Sequence, residues 1–236
     1  NGGVIIVGGN GNDTITSGNG NSFVLGDSGK LTFNTSGNLL RAEDGGNSGG
    51  DDTITVAGGN NFIIGGVGND NIRTGVDTNG NPVGVGNDMI LGDSGSIDFT
   101  KTSAIGAPTT SYNFVDEIRS DVKSLDGADV IYSGDGRNFV IAGNGSDEVY
   151  SGTGDDIVLG DAGSATFNAN GEYVNVTATD LTGSGDKIVI TGGNNIVVGG
   201  TGRDQITTGN GSDIVLGDEG TLDFGIVPAT GKATLT

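Results

Sequence analysis

Single apolar residues recur at every ninth position along this chain, separated by turns of Gly, Asn and Asp. Ile131, Val140, Val149 and Val158 are nine apart, as are Ile188, Val197, Ile206 and Val215. Ile15, Val24, Ile54, Ile63, Ile72 and Ile90 belong to the same series. All are β-branched, which favours strands. One buried side chain per short repeat marks a solenoid, whose rungs bury their apolar face only against neighbouring rungs. The pattern predicts an all-β parallel solenoid, and no stretch shows a convincing apolar helical face.

The residues flanking each core position point to the opposite side of the strand. On alternate rungs they are mostly polar, as in Thr14/Thr16, Thr53/Thr55, Asn71/Arg73 and Gln205/Thr207. Val130/Tyr132, Glu148/Tyr150 and Lys187/Val189 are mixed. On the other rungs they are apolar: Phe23/Leu25, Phe62/Ile64, Met89/Leu91, Phe139/Ile141, Ile157/Leu159, Ile196/Val198 and Ile214/Leu216. One outer face should therefore be a broad apolar sheet, which is rarely left to water. Either the segments between blocks fold over it, or another copy of the chain does.

A longer period organises the rungs. Leu25-Gly26-Asp27, Leu91-Gly92-Asp93, Leu159-Gly160-Asp161 and Leu216-Gly217-Asp218 each close a block, followed by what reads as a degenerate fifth rung centred on Phe33, Phe99, Phe167 or Phe224. The expected organisation is one solenoid in four blocks, about 1–33, 49–99, 126–167 and 183–224. Inserts at 34–48, 100–125 and 168–182 separate them, with a tail at 225–236. Leu31-Thr32-Phe33 with Leu39-Leu40, and Ala165-Thr166-Phe167 with Tyr173 to Thr177, read as β-hairpins across Asn- and Gly-containing turns. The extra residues between Asp70 and Asp88 lack a core residue around Asp77 to Pro82. They read as a looped-out turn that leaves the alternation of faces intact.

Composition alone would suggest disorder: only 33% of residues are hydrophobic, and 30 acidic against 10 basic residues give a net charge of −20. The fixed period argues for folding, and bound divalent cations are the simplest way to tolerate the excess acid. With no His and no Cys, the chain lacks the usual general base, the commonest zinc ligand and any disulfide. The acidity disfavours nucleic acid and anionic membrane. No apolar run approaches the roughly 20 residues of a membrane span. The chain begins inside a repeat, at Asn1-Gly2-Gly3, and reads as a segment of a longer protein.

The repeating unit is Gly8-Gly9-Asn10-Gly11-Asn12-Asp13-Thr14-Ile15-Thr16, and its frame returns at Gly65 to Arg73 and Gly199 to Thr207. Glycines reach positive φ cheaply, so such a loop can curl and aim carbonyls inward. Calcium, a hard cation, takes six to eight oxygens. The motif resembles the RTX (repeats-in-toxin) calcium-binding nonapeptide, Gly-Gly-x-Gly-x-Asp-x-apolar-x. The resemblance implies a right-handed parallel β-roll with inserted hairpins, in which two nonapeptides make one coil and multiple Ca2+ ions sit between loops 18 residues apart. Carried onto this chain, the implied carboxylate ligands are Asp13, Asp52, Asp70, Asp88, Asp129, Asp147, Asp156, Asp186, Asp204 and Asp213. Asn61, Asn138 and Asn195 depart from the pattern, Val4 and Ser22 more so, and sites containing these rungs should be weaker or empty. Asp27, Asp93, Asp161 and Asp218, in the Gly-Asp steps, are either additional ligands or turn residues bonding their own backbone.

Gly26-Asp27-Ser28-Gly29 and Gly92-Asp93-Ser94-Gly95 look like a serine-protease nucleophile signature. No His exists to activate the serine, and the other two copies carry Ala162 and Glu219 there. The expected function is a non-catalytic, calcium-dependent structural module of a large secreted or cell-surface bacterial protein, such as an adhesin, matrix or fibre component. It would leave the cell by type I secretion, as RTX-like proteins do, and fold on external calcium. It could also associate with adjacent repeats or further copies. The alternative is the export and folding module of a secreted enzyme or toxin whose active domain lies elsewhere. Thr14-Ile15-Thr16 and Thr53-Ile54-Thr55 hint at a threonine array for a flat ligand, but later rungs do not continue it.

Overall fold

The computed structural model describes the chain except residues 1–2, 46–47, 77–78, 80–83, 104–114, 124–125, 169–170, 179–181, 227–232 and 236. The described residues are strands and turns, arranged in three sheets. They contain no helix, and so none long and apolar enough to cross a membrane.

Two sheets are parallel and face each other to form the roll. The first stacks Val4–Val7, Ser22–Leu25, Phe62–Gly66, Met89–Asp93, Phe139–Ile141, Ile157–Leu159, Ile196–Val198 and Ile214–Leu216. The second stacks Thr14–Asn19, Thr53–Gly58, Asn71–Thr74, Val130–Gly134, Glu148–Thr153, Lys187–Gly192 and Gln205–Thr207. The chain alternates between them, so each coil contributes one rung to each sheet. Register is strict: Val24 lies beside Ile63, Ile63 beside Ile90, and Ile131 beside Val149. The ninth-residue apolar series fills the space between the sheets, from Ile15 to Val197. At the last rung, with a neighbour on one side only, Val215 is 47% exposed.

The third sheet is antiparallel and is built from the inserts. Its order is the order of the chain: Gly29–Phe33, Leu39–Asp44, Gly95–Ser103, Glu117–Ser120, Gly163–Phe167, Tyr173–Ala178, Gly220–Ile226 and Ala233–Leu235. It covers the apolar outer face of the first sheet. Phe23, Leu25, Ile64, Met89, Leu91, Phe139 and Ile141 meet Ala42, Ile97, Phe99, Ile118, Ala165 and Val176 in a second hydrophobic core. The face is thus covered from within the chain, and a second copy has no open apolar sheet there to lie on.

Two expectations are met in detail. Both hairpins form, across matched turns in which Gly37 and Gly171 take φ of +82° and +75°. In the first, the Asn34 carboxamide oxygen accepts the N–H groups of Ser36 and Asn38, both at 2.9 Å. The extra residues after Asp70 also preserve parity: Met89 pairs with Phe62 in the covered sheet. Most of that loop, 77–78 and 80–83, lies outside the described residues, as do 104–114 of the longest insert and most of the tail.

The fifth-rung reading is corrected. The segments around Phe33, Phe99, Phe167 and Phe224 pair antiparallel within the cover. Each of these segments leaves the roll just after the Leu-Gly-Asp step. A Cβ on Gly29, Gly95 or Gly163 would strike a carbonyl oxygen of the adjacent cover strand, at Glu43, Arg119 or Thr177. The Gly-Asp-Ser-Gly strings are therefore exits from the roll, with glycine required by close backbone approach.

Candidate metal centre

The loops of the roll form two edges. One edge carries the chain from the covered sheet into the exposed sheet. Its stacked residues are Asp13, Asp52, Asp70, Asp129, Asp147, Asp186 and Asp204, each placed just before an exposed-sheet strand. Every backbone N–H in this column donates to Oδ1 of the next aspartate: Asp13 to Asp52 at 2.7 Å, Asp52 to Asp70 at 2.8 Å, Asp70 to Asp129 at 2.7 Å. The series continues from Asp129 to Asp147 at 2.7 Å, Asp147 to Asp186 at 2.8 Å and Asp186 to Asp204 at 3.0 Å. The carbonyl of each then accepts the N–H that follows the next aspartate, as in Thr53 to Asp13 and Asn71 to Asp52.

This use of Oδ1 leaves Oδ2. In Asp13, Asp52, Asp70, Asp129, Asp147 and Asp186 that oxygen is buried and has no hydrogen-bond partner. Asp129 and Asp147 are each 1% exposed. A buried carboxylate oxygen without a donor costs free energy, and its presence calls for an explanation such as a bound cation. Glycines hold the space around it. A Cβ on Gly26 would collide with both Asp52 Oδ2 and the Gly65 carbonyl oxygen. Gly65 stands in the same way to Asp70 and Gly92, and Gly92 to Asp129 and Ala142. Gly160 repeats it with Asp186 and Gly199, and Gly199 with Asp204 and Gly217. At these rungs carboxylate and carbonyl oxygens converge on space that glycine leaves free, a hard-oxygen environment suited to calcium, and at the rung of Asp147 the position holds Ala142.

Electrostatics agree. Burial pushes Asp147 up to about 7 and Asp186 to about 8. Burial, reinforced by the neighbouring charges of Asp93, Asp70 and Asp147, drives Asp129 well above the carboxylate range. Stacked anions without a counter-charge prefer to hold protons.

The acids of the Gly-Asp steps have a different geometry. Asp27 accepts the N–H groups of Val67 (2.7 Å) and Gly50 (3.2 Å). Asp93 accepts those of Asn144 and Gly127, and Asp161 that of Thr201. Each therefore clasps backbone from the coil where the chain returns after an insert. Asp218, at the last rung, is exposed. Sequence reasoning passed over Asp126 beside Asp93, which burial raises to about 6. Its place three residues before Asp129 in the same loop was the available signal.

Asp88, Asp156 and Asp213 lie on the opposite edge, in one column with Ser22, Asn61, Asn138 and Asn195. The same N–H to Oδ1 ladder runs through them.

Compared with known families, the sequence matches the RTX calcium-binding nonapeptide repeat (4 copies) over residues 2–30, 47–79, 124–158, 132–167 and 190–221, more than half of the chain. The chain belongs to the RTX calcium-binding repeat family. No curated protein and no solved structure matches it. RTX nonapeptide repeats bind calcium, and the donor set of the first edge fits that ion. Among the described residues no three acidic side chains converge on one point. In this RTX chain, carbonyl oxygens must therefore supply most of any coordination shell, with one or two carboxylates per ion.

Proposed function

We propose that this chain is a calcium-loaded, non-catalytic structural segment of a secreted or cell-surface protein of the adhesin or matrix type, which folds when calcium becomes available outside the cell. The observation that carries the reading is the column of buried, unpaired Oδ2 atoms at Asp13, Asp52, Asp70, Asp129, Asp147 and Asp186. Without a cation these acids either hold protons or repel one another. Calcium bound along the column would supply the missing positive charge, and its binding energy would become folding energy. The cover supports a structural role: each insert pairs with the exit strand of the next block, as Leu39–Asp44 does with Gly95–Ser103. Successive blocks are thereby joined into one body.

Circular dichroism during a calcium titration, with magnesium as control, tests the proposal. The expected result is a cooperative coil-to-β transition specific to calcium. A chain already folded in chelator and indifferent to calcium would overturn it.

A further inference from the structure

The two edges of the roll share one backbone ladder but differ in what surrounds it. On the edge leading into the exposed sheet every rung carries Asp. On the opposite edge the column reads Ser22, Asn61, Asp88, Asn138, Asp156, Asn195, Asp213, so that no two carboxylates are adjacent. All the departures at the aspartate position of the repeat fall on this one edge.

There the Asn side chains occupy groups that calcium would need. Nδ2 of Asn61 donates to Asp88 Oδ1 at 2.9 Å, Nδ2 of Asn138 to Asp156 Oδ1 at 3.1 Å, and Nδ2 of Asn195 to Asp213 Oδ1 at 2.9 Å. The same amides reach the loop carbonyls of Gly59 (2.9 Å), Gly136 (3.3 Å) and Gly193 (3.2 Å). Ser151 Oγ donates to Asp156 Oδ2 at 2.6 Å, and the hydroxyls of Thr74 and Thr208 bond the carboxylates of Asp88 and Asp213. None of these three aspartates has a buried oxygen left unpaired.

The difference traces to one position in the loop. On the all-aspartate edge this position holds Gly8, Gly26, Gly65, Gly92, Gly160 or Gly199, and at the rung of Asp147 the small Ala142, which is buried in the inner core. The equivalent position on the opposite edge holds Ser17, Val56, Thr74, Ser133, Ser151, Ile190 or Thr208. A hydroxyl stands there for each Asp. Val56 and Ile190, which precede Asn61 and Asn195, are buried in the inner core. On the all-aspartate edge nothing larger than a methyl stands there, whereas a hydroxyl or a branched side chain fills the position on the other.

We propose that calcium enters only the all-aspartate edge, and that the opposite edge is closed to it by hydrogen bonds within the protein. The inference rests on the calcium reading above and departs from the expectation that Asp88, Asp156 and Asp213 are ligands. One edge then depends on metal, while the other zips through Asn amides and hydroxyls alone.

Isothermal titration of calcium into the 236-residue chain decides it. About six ions should bind, one for each unpaired Oδ2; a count of about twelve would mean that both edges load and would overturn the proposal. The triple variant Asp88→Asn, Asp156→Asn, Asp213→Asn should bind the same number with affinity changed less than about twofold, whereas Asp70→Asn with Asp147→Asn should lose about two ions. A lower count in the triple variant would also overturn it. If the triple variant does not fold, the wild-type count alone decides. Absence of any calcium binding would remove the reading under Proposed function and this inference with it.

Discussion

The backbone N–H of Asp70 donates to Asp129 Oδ1 at 2.7 Å, joining two residues 59 apart in the chain. The hydrogen bond turns Asp129 so that one oxygen holds the neighbouring coil and the other faces the cradle at Gly92. The same side chain is a backbone clamp and a candidate ligand, and the two roles separate by mutation.

Asp129→Asn keeps an oxygen for the Asp70 amide but removes the charge. The ladder should persist, while one ion is lost and the calcium midpoint rises several-fold. A dichroism titration beside the wild type reads both. An unchanged midpoint would count against Asp129 as a ligand.

Acidity should matter without calcium and hardly at all with it. Burial raises Asp147 to about 7 and Asp186 to about 8 in the fold, above the value near 4 of an unfolded chain. Their contribution to stability is therefore fully present below about pH 4 and lost as pH rises through about 7 to 8. In chelator, strand content followed by circular dichroism should therefore be greatest near pH 5 and lost towards pH 9. With saturating calcium, which keeps the carboxylates ionised as they already are in the unfolded chain above about pH 5, the urea midpoint should stay level over the same range. Strand content in chelator that grows towards pH 9 would contradict the burial of these acids.

Gly65→Ala tests the cradle. The new methyl would meet both the Gly92 carbonyl and Asp70 Oδ2, so about 1–3 kcal/mol of stability and one calcium ion should be lost together. Gly37→Ala, in a hairpin turn at φ +82° with open space around it, should cost about 1 kcal/mol and leave calcium binding unchanged.

The cover is tested at Phe99, which is 3% exposed and meets Phe62 edge-on at 5.3 Å between ring centres. Phe99→Ala should cost about 3–5 kcal/mol. Phe33→Ala, at a residue 44% exposed, should cost well under that. Urea denaturation under saturating calcium compares the two, and equal losses would speak against the second core.

Much of this was legible in the sequence because the signals are local. Ile131, Val140, Val149 and Val158 announce the roll by spacing alone. The doublets Phe23/Leu25 and Phe139/Ile141 announce that something must cover them. Phe99 was misread because a lone aromatic nine residues beyond Ile90 imitates a rung. Only its pairing with Leu39–Asp44, far back in the chain, reveals the cover. The inequality of the edges was written in Ser151 and Asp156, and in Asn61 and Asn195. Its meaning depended on which carboxylate oxygen the neighbouring coil consumes, and that is a property of the stack.

The coil stack has a consequence for reach. Eight rungs at about 4.8 Å spacing make the covered sheet roughly 34 Å tall, whereas the same chain drawn straight spans about 800 Å. The folded module stores nearly all of its contour length crosswise, perpendicular to the axis along which repeats add. Under the calcium-dependent folding proposed above, such a stack would be short while its ions are held and would lengthen more than tenfold if they were withdrawn under load, so calcium would set its length as well as its fold.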